Sequence, residues 1–481
     1  MSLPASATRG YVRGPVIRVS ARCVSTSPVK VTFGLLDERW RGLTAGLVLN
    51  VTFVAFEALA IATIMPLVVA DLGGVALYGW VFSAFLLADL VGIVVAGELA
   101  DRFGPAVPFG AGLGLFAIGL LIGGLAPSMP VLVGARAIQG FGAGAIPAVA
   151  YVVIGRTYPD ALRPRMFAVL STAWVVPGIA GPALAAFVAD HVGWRSVFLG
   201  LLPLVLVAGS LALRELRSVP GNPHRVARRV LLDAVRVASG TGLALAGLQA
   251  RDVVLSPALL AIGLGLGIPA LRKLLPAGTF RANGALPAAV LSRGILTFAF
   301  FAADVFVPLT VTTIRGESVV LSGIALTAGT IAWTTGAWVQ ERTVFRVGPA
   351  PLVRNGFLLI AIGIAAMVVV LSGAVPAWLC VPAWGIAGLG IGMAYSSISL
   401  TVLRHAPTGS EGATASSMQL ADILGNALGT GLGAVAVAAA VAGSGNAVIG
   451  VAVTDGLAAG LAIAGIFVAS RLRTPNAAVL G

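Results

Sequence analysis

The stretch Arg136-Ala137-Ile138-Gln139-Gly140-Phe141-Gly142-Ala143-Gly144 places a permanent cation inside an apolar run, Val131 to Ile154, that is long enough to cross a bilayer. An arginine at the middle of a spanning helix costs roughly 2.5–3.5 kcal/mol on insertion scales, so it predicts a function and a partner. Arg136, Gln139 and Gly140 are spaced i, i+3, i+4 and share one helix face. Gly140 and Gly144 have the small-xxx-small spacing of closely packed membrane helices. The alternative is that Arg136 lies near the outer end of the span and extends to the headgroups.

The composition is that of an integral membrane protein. The 481 residues have a mean hydropathy of +1.00 and only 10% are charged, whereas a soluble protein has about 25%. Apolar runs of about 20 residues predict spanning helices rather than barrel strands. The net charge is +13, but the arginines are scattered between apolar runs, which argues against a nucleic-acid partner. Cys23 and Cys380 lie far apart, so we expect no disulfide, and no residue pattern predicts a metal, a cofactor or a catalytic centre.

Fourteen candidate spans follow a polar, arginine-rich tail. They are Leu43–Val69, Leu77–Ala96, Val107–Ala126, Val131–Ile154, Met166–Ala189, Ser196–Leu213, Val230–Leu248, Val253–Leu271, Leu286–Val311, Val319–Trp338, Gly356–Val375, Ala377–Leu403, Thr414–Ala440 and Ala452–Ser470. The seventh is the weakest, because Asp233 and Arg236 lie near its start. These two residues form an i, i+3 pair, or else Arg236 extends to the inner surface.

The distribution of basic residues predicts the orientation. With the N-terminus inside, 25 of the 31 lysines and arginines fall in inner segments, whereas the outer loops hold only Arg195, Arg251 and Arg315. This asymmetry predicts a multi-pass protein of the plasma membrane with both termini in the cytoplasm. It does not distinguish fourteen spans from twelve, since omitting the seventh and eighth together leaves the same sidedness. The bias towards arginine, alanine and glycine suggests a bacterial genome.

Two short matches predict an internal repeat. Residues 102–106, Arg-Phe-Gly-Pro-Ala, are matched by residues 346–350, Arg-Val-Gly-Pro-Ala, and the glycines 140, 142 and 144 are matched by 388, 390 and 392. Such repeats are typical of secondary transporters, whose substrate site lies between the two halves. At the same offset Arg136 corresponds to Trp384 and Gln139 to Ala387. The glycines therefore recur while the polar pair does not, which favours a function for Arg136.

We expect an all-α polytopic membrane protein made of two six-helix bundles with two extra central helices, and the chain divides into five parts. A cytoplasmic tail (1–41) precedes the N-terminal bundle (42–213). A basic linker and the two extra helices (214–285) lead to the C-terminal bundle (286–470) and a second cytoplasmic tail (471–481).

Two further motifs lie in the N-terminal half. The loop Gly97-Glu98-Leu99-Ala100-Asp101-Arg102-Phe103-Gly104 combines glycines for tight packing with an adjacent acid and base that can form a breakable contact at an inner gate, although an ordinary polar turn has the same composition. The fifth span contains Pro177-Gly178-Ile179-Ala180-Gly181-Pro182. Proline removes a helix hydrogen bond, so this segment is expected to kink or act as a hinge.

Together these motifs resemble those of the major facilitator superfamily, in particular its fourteen-span drug:proton antiporters. Gly97 to Gly104 is similar to the loop pattern G-x-L-a-D-r-x-G, and Arg136 to Gly144 is similar to the fourth-span pattern R-x-x-Q-G-x-G-a-G. Gly178, Gly181 and Pro182 match part of the fifth-span antiporter pattern, and Glu57 stands where the first span of this branch usually has an acid. Pro105 and Ala106 replace a usual basic pair, and Ala185 and Ala186 replace the final glycines of the antiporter pattern.

Proton coupling requires an acid that titrates during the cycle. The candidates inside spans are Glu57, Asp89, Asp304 and Asp422. Burial raises the pKa of a carboxyl group and a nearby guanidinium lowers it, so an acid that meets Arg136 in only one state would bind and release a proton. The resemblance assigns Arg136 this role. Each acid has a structural alternative as a hydrogen-bond acceptor from a neighbouring helix.

The sequence therefore predicts a monomeric, proton-coupled exporter of lipophilic or cationic compounds that works by alternating access, with multidrug or antibiotic efflux as the expected activity. An exporter of one endogenous metabolite or lipid is the alternative, and a membrane scaffold or enzyme is the alternative of a different class. Its partners would be a small-molecule substrate, protons and the lipid bilayer. Trp174, Phe298, Phe300 and Phe301 are candidates for an aromatic-lined substrate cavity.

Overall fold

The structure, a computed structural model, describes residues 34–472 except 36, 39, 75–76, 222–227 and 251–253. Most of the N-terminal tail, part of the basic linker and most of the C-terminal tail lie outside these residues. The helices are α1 (Arg41–Leu72), α2 (Tyr78–Phe103), α3 (Ala106–Gly124), α4 (Met129–Ala143), α5 (Ala145–Thr157), α6 (Arg163–Thr172), α7 (Val175–Val192), α8 (Arg195–Leu216), α9 (Arg228–Gln249), α10 (Leu255–Leu274), α11 (Ala285–Asp304), α12 (Val319–Val347), α13 (Pro349–Leu371), α14 (Cys380–His405), α15 (Glu411–Ser444) and α16 (Ala447–Ala469).

Within the described residues, fourteen helical segments are long and apolar enough to cross a membrane, and this part of the chain contains helices and no strand. The prediction of an all-α protein with fourteen spans is confirmed. The fourth span consists of α4 and α5, and the fifth consists of α6 and α7. We call the membrane face at which α1 begins the N-terminal face.

The fifth span is interrupted just before its proline-glycine segment. α6 ends at Thr172 and α7 begins at Val175, which puts Pro177 in the first turn of α7. A proline is tolerated there because the first N–H groups of a helix have no intrahelical acceptor. Pro182 lies further inside α7.

We call the contact between α2 of the N-terminal half and α15 of the C-terminal half the seam. The two extra helices, α9 and α10, form a hairpin beside it. Their backbones meet at glycines, since a Cβ added to Gly240 would lie 2.6 Å from the carbonyl oxygen of Gly263. Asp233 pairs with Arg236 at 3.1 Å and with Lys273 at 3.7 Å, which ties the start of α9 to the end of α10. Of the two alternatives for Arg236, the structure shows the pair. α9 packs against α2 of one half and α15 of the other.

The halves meet closely where α2 and α15 run antiparallel. The Ser416 hydroxyl donates to the carbonyl oxygen of Ile93 at 2.9 Å. A Cβ at Gly97 would lie 1.8 Å from the Ser416 Oγ, so only glycine permits this approach. The seam therefore brings acids on α2 opposite acids and backbone amides on α15.

Candidate functional site

The Arg136 guanidinium lies at the centre of a buried polar cluster in the N-terminal half. Its Nη1 donates to a carboxylate oxygen of Glu57 on α1 and to Gln139 Oε1 at 2.7 Å. Its Nε donates to the carbonyl oxygen of Val81 on α2 at 3.3 Å, and the Phe85 ring lies 4.1 Å below the guanidinium carbon. Arg136 is 2% exposed and Glu57 is 0% exposed.

These contacts decide between two predictions for Arg136. A side chain that extended to the headgroups would expose its charged end, whereas here the guanidinium is enclosed and paired with an acid. Of the four acids considered as its partner, Glu57 is the one that the structure brings to it. The second carboxylate oxygen of Glu57 and the Gln139 Nε2 are buried without a hydrogen-bond partner among the described residues. The cluster is thus incompletely bonded.

The glycines of the fourth span serve helix packing. A Cβ at Gly140 would lie 2.1 Å from the carbonyl oxygen of Phe85, and one at Gly144 would lie 2.5 Å from that of Asp89. α4 therefore packs directly on the backbone of α2, as small residues permit in membranes. This close approach carries Phe85 and Val81 to the guanidinium.

The C-terminal half repeats this packing around a different polar contact. A Cβ at Gly388 on α14 would lie 2.2 Å from the carbonyl oxygen of Gly329 on α12. Trp384, at the position that corresponds to Arg136, donates its indole N–H to Asp304 Oδ1 at 2.9 Å. Asp304 follows Glu57 by 247 residues and Trp384 follows Arg136 by 248. The two pairs are therefore repeat-related, with an arginine in one half and an indole in the other.

Asp304 lies where its helix breaks. α11 ends at Asp304, and Pro308 cannot donate a hydrogen bond to the Asp304 carbonyl because it has no N–H. The chain continues with a wide turn at Leu309–Ile314. A broken helix of this kind is common at transporter sites.

A second arginine, Arg293, lies between the two halves. Its Nη2 donates to Ser399 Oγ at 2.6 Å and to Tyr151 of the N-terminal half at 3.4 Å. The Tyr395 ring lies 3.3 Å from its guanidinium carbon, and the Tyr395 hydroxyl donates to Asp422 Oδ2 at 2.9 Å. The Arg293 Nε lies 3.9 Å from Asp422 Oδ1. Arg293 and Asp304 lie on the same helix, α11, but the carboxylate that Arg293 faces is that of Asp422.

Asp89 lies on α2, near the same seam. It is partly exposed, and no described Lys, Arg or His nitrogen lies within 4 Å of its carboxylate. The neighbouring turn of α2 contacts Ser416 of α15. Asp89 therefore lies close to α15, and it takes no part in the Arg136 cluster.

At the N-terminal face, Asp101 joins the two halves. Its carboxylate accepts from the backbone N–H groups of Gly412 at 2.7 Å and Ala413 at 2.9 Å, at the start of α15. Arg156 donates to Asp101 Oδ1 at 2.7 Å and to Glu411 Oε2 at 2.9 Å. A carboxylate is stabilised at the N-terminal end of a helix by its free N–H groups and its dipole. This face of the interface between the halves is closed.

The cation of this network differs from the one in the predicted loop. Arg102 is exposed and lies over Phe103, while Arg156 at the end of α5 supplies the charge. Sequence reasoning missed Arg156 because no motif marks it. Gly104 adopts a left-handed φ of 84° beside Val219, a backbone conformation that favours glycine.

The predicted hinge residues line the contact between α7 and two other helices. A Cβ at Gly178 would lie 3.6 Å from the Thr330 side chain of α12, and one at Gly181 would lie 3.6 Å from Phe56 of α1. Within the described residues, no group of three or more His, Cys, Asp and Glu could hold a metal ion.

A model of the major facilitator superfamily matches residues 47–430, most of the chain. This chain belongs to the major facilitator superfamily. The motif resemblance is confirmed, and the chain is a transporter rather than an enzyme.

Curated relatives of this family member are remote. A multidrug transporter protein of Bacillus subtilis is 27% identical over 417 residues, which cover 82% of this chain and 74% of that protein. A Mycobacterium tuberculosis protein named "probable multidrug-efflux transporter" is 26% identical over 427 residues, which cover 83% of this chain and 88% of that protein.

Solved structures of the superfamily have the same fold. The human organic anion transporter MFSD10 superposes with a TM-score of 0.68 at 14% identity, over 89% of this chain and 99% of that one. The proton:xylose symporter XylE gives a TM-score of 0.62 at 16% identity, over 89% of this chain and 94% of that one. At these identities the likeness concerns the fold alone.

Proposed function

We propose that this transporter exports lipophilic or cationic compounds in exchange for protons, and that Glu57 and Arg136 form its coupling pair. The observation that carries the proposal is the enclosed contact between the Glu57 carboxylate and the Arg136 guanidinium. The names of the two remote relatives support efflux of several compounds as the activity. The setting is a bacterial plasma membrane, where such efflux gives antibiotic resistance.

The physical basis of coupling is the cost of separating the two charges. Each charge is stabilised inside the protein chiefly by the other, and an unpaired buried charge is strongly unfavourable. A proton on Glu57 removes the negative charge and much of the attraction, so the protonated acid can leave Arg136. Arg136 then keeps the Val81 carbonyl, the Gln139 amide and the Phe85 ring as partners. The pair therefore has two states, joined and separated, and a proton on Glu57 shifts the equilibrium towards the separated state.

The network at the N-terminal face provides the gate for this cycle. The positive-inside distribution supports a cytoplasmic location for that face and for both chain termini. Asp101, Arg156 and Glu411 close the cytoplasmic side, so the conformation is one that cannot receive substrate from the cytoplasm. Export requires these contacts to break and reform once per cycle, with the chain acting as a monomer of two halves.

Asp89 and Asp422 provide a second place where protonation could act. Asp422 is held by Tyr395 and faces Arg293, which in turn reaches Tyr151 of the other half. Protonation of Asp422 would weaken a contact that spans the seam. We assign Asp89 and Asp422 a supporting role, because their charges are less enclosed than that of Glu57.

Transport by the purified protein in liposomes tests this function. A pH gradient with an acidic lumen should drive accumulation of tetraphenylphosphonium inside liposomes that contain the wild type, because protons leave the lumen as the cation enters. Glu57→Gln should lose accumulation driven by the gradient while it still exchanges labelled for unlabelled substrate, because exchange needs no net proton movement. Asp71→Asn is the matched control, since Asp71 also pairs with an arginine, Arg195, but on the exposed surface. Full accumulation by Glu57→Gln would exclude the proposed coupling pair.

A further inference from the structure

The carboxylate of Asp304 has an unusual environment for an acid inside a membrane protein. Trp384 gives it one neutral hydrogen bond. Among the described residues no Lys, Arg or His nitrogen lies within 4 Å of it. Arg293 lies on the same helix but eleven residues away, about 16 Å along the axis at 1.5 Å per residue. The charge of Asp304 is therefore not balanced by the protein in the way that Arg136 balances Glu57.

Asp304 is also partly exposed, while its hydrogen-bond donor is buried. Trp384 is 1% exposed and Phe300, stacked on it at 5.0 Å between ring centroids, is 4% exposed. These two rings form a rigid support behind the carboxylate. Asp304 is the partly exposed member of this group.

Two partly exposed aromatic side chains, one on α11 and one on α12, lie near this acid. Phe301 lies three residues before Asp304 on α11, so both share a helix face. Its ring centroid lies 6.2 Å from that of Trp333 on α12. Phe301 and Trp333 are partly exposed. Trp333 also contacts Tyr395, the partner of Asp422 and Arg293.

The position of these rings in the fold is between the halves. Thr334, next to Trp333, donates its hydroxyl to the Ser171 carbonyl of the N-terminal half at 3.3 Å. Arg293, below Tyr395, reaches Tyr151 of the same half. The aromatic group therefore borders the interface through which a substrate passes in transporters built from repeats.

We propose that Asp304, Phe301 and Trp333 form the site that binds the positively charged group of a lipophilic organic cation. An uncompensated carboxylate attracts such a cation, and aromatic faces bind cations that carry apolar substituents. Trp384 and Phe300 are positioning residues that hold the carboxylate in place. The inference rests on the proposed function, because it identifies where the exported cation binds.

Equilibrium binding to the full-length protein in detergent tests the site. Labelled tetraphenylphosphonium is the cationic probe, and unlabelled triphenylphosphine oxide, a neutral compound of similar shape, is the competitor. Asp304→Asn should raise the Kd of the cation at least about tenfold, since a direct charge contact is lost, and should leave the inhibition constant of the neutral competitor within about twofold. Asp304→Glu should keep cation affinity close to that of the wild type.

The aromatic residues give an independent measure. Phe301→Ala and Trp333→Ala should each weaken cation binding by roughly 2- to 30-fold, the range expected for cation–aromatic contacts. Unchanged gel-filtration profiles establish that the variants are folded. If Asp304→Asn binds the cation with wild-type affinity, the proposed site is wrong. The same holds if the variant loses affinity for the cation and for the neutral compound equally, or if the wild type does not bind the cation. The coupling role of Glu57 is judged separately, from accumulation driven by the pH gradient.

Discussion

The two halves of this transporter hold an acid at the same place in the fold, and they treat its charge differently. In the N-terminal half Glu57 is fully enclosed and paired with Arg136. In the C-terminal half Asp304 is partly exposed, and its hydrogen-bond donor among the described residues is the indole N–H of Trp384. The glycine packing that positions Arg136 and Trp384 is the same in both halves.

Under the proposed function, this difference separates the two tasks of proton coupling and substrate binding. A balanced buried pair changes strongly when a proton neutralises one member, because the remaining charge loses its partner. An unbalanced acid beside accessible aromatic rings is suited to attract a cation from outside the protein. One duplicated framework therefore carries a proposed coupling site in one half and a proposed cation site in the other. The substitutions that follow alter one side of the comparison at a time.

Removal of the Arg136 guanidinium should have the largest effect. Arg136→Ala leaves Glu57 buried and unpaired, which costs about 3–5 kcal/mol in a buried pair, and we expect transport in liposomes to fall by more than about a hundredfold. Arg136→Lys retains the charge but not the planar fork, so it should restore stability better than transport. The double variant Glu57→Gln/Arg136→Gln should recover thermal stability without recovering coupling. Near-normal transport by Arg136→Ala would contradict the role of the pair.

Methyl groups added to the repeated glycines test whether the framework is shared. Gly140→Ala places Cβ 2.1 Å from the Phe85 carbonyl oxygen, and Gly388→Ala places it 2.2 Å from that of Gly329. Both should lower stability by a similar amount, at least about 1–3 kcal/mol for such overpacking. Gly134→Ala and Gly385→Ala are the controls, because a Cβ there meets no atom within 4 Å. Thermal unfolding in detergent measures all four, and a large effect in only one half would mean that the packing is not equivalent.

The gate at the N-terminal face should show an intermediate effect. Asp101→Asn keeps the shape of the side chain but removes its charge from Arg156 and from the start of α15. We expect the maximal transport rate to fall roughly tenfold, since a charged hydrogen bond is worth about 1.5–3 kcal/mol. Arg102→Ala should change the rate little, because Arg102 is outside the network. The reverse order of the two variants would show that the gate is built differently.

The smallest effect is expected at the surface opposite the gate. There Asp71 accepts from Arg195 at 2.7 Å and from Trp194 at 3.1 Å. The hydrogen bond from Arg195 lowers the pKa of Asp71. A carboxylate with a lowered pKa stabilises the folded state above its unfolded pKa, and the stabilisation is lost as the pH falls through the folded value. Asp71→Asn should therefore reduce thermal stability slightly at pH 7. The difference should shrink as the pH falls below the usual pKa of aspartate, about 3.9, and vanish below the lowered pKa of the folded state.

The sequence predicted the framework well because the relevant signals are local. Hydropathy marks the spans, including the weak pair α9 and α10, and the glycine motif of α4 predicted its close packing. The partner of Arg136 could not be predicted, because all four candidate acids lie inside predicted spans. Only the packing of the helices brings Glu57, rather than another acid, to Arg136. Arg156 was missed for the same reason. The offset of 247 residues between Glu57 and Asp304 is visible in the sequence. Only the structure shows that Trp384 donates to Asp304 as Arg136 donates to Glu57.

Proton release on cation binding tests the central claim, that Glu57 couples protons while Asp304 binds the substrate cation. In the proposed antiport, bound protons weaken cation binding. Because linked equilibria are reciprocal, binding of the cation must then release protons from the site to which it is coupled. A pH indicator in weakly buffered detergent solution measures this release when tetraphenylphosphonium is added at saturating concentration. We predict release by the wild type, binding without release by Glu57→Gln, and release by Asp304→Asn only at much higher cation concentrations. Release by Glu57→Gln equal to that of the wild type would contradict the account.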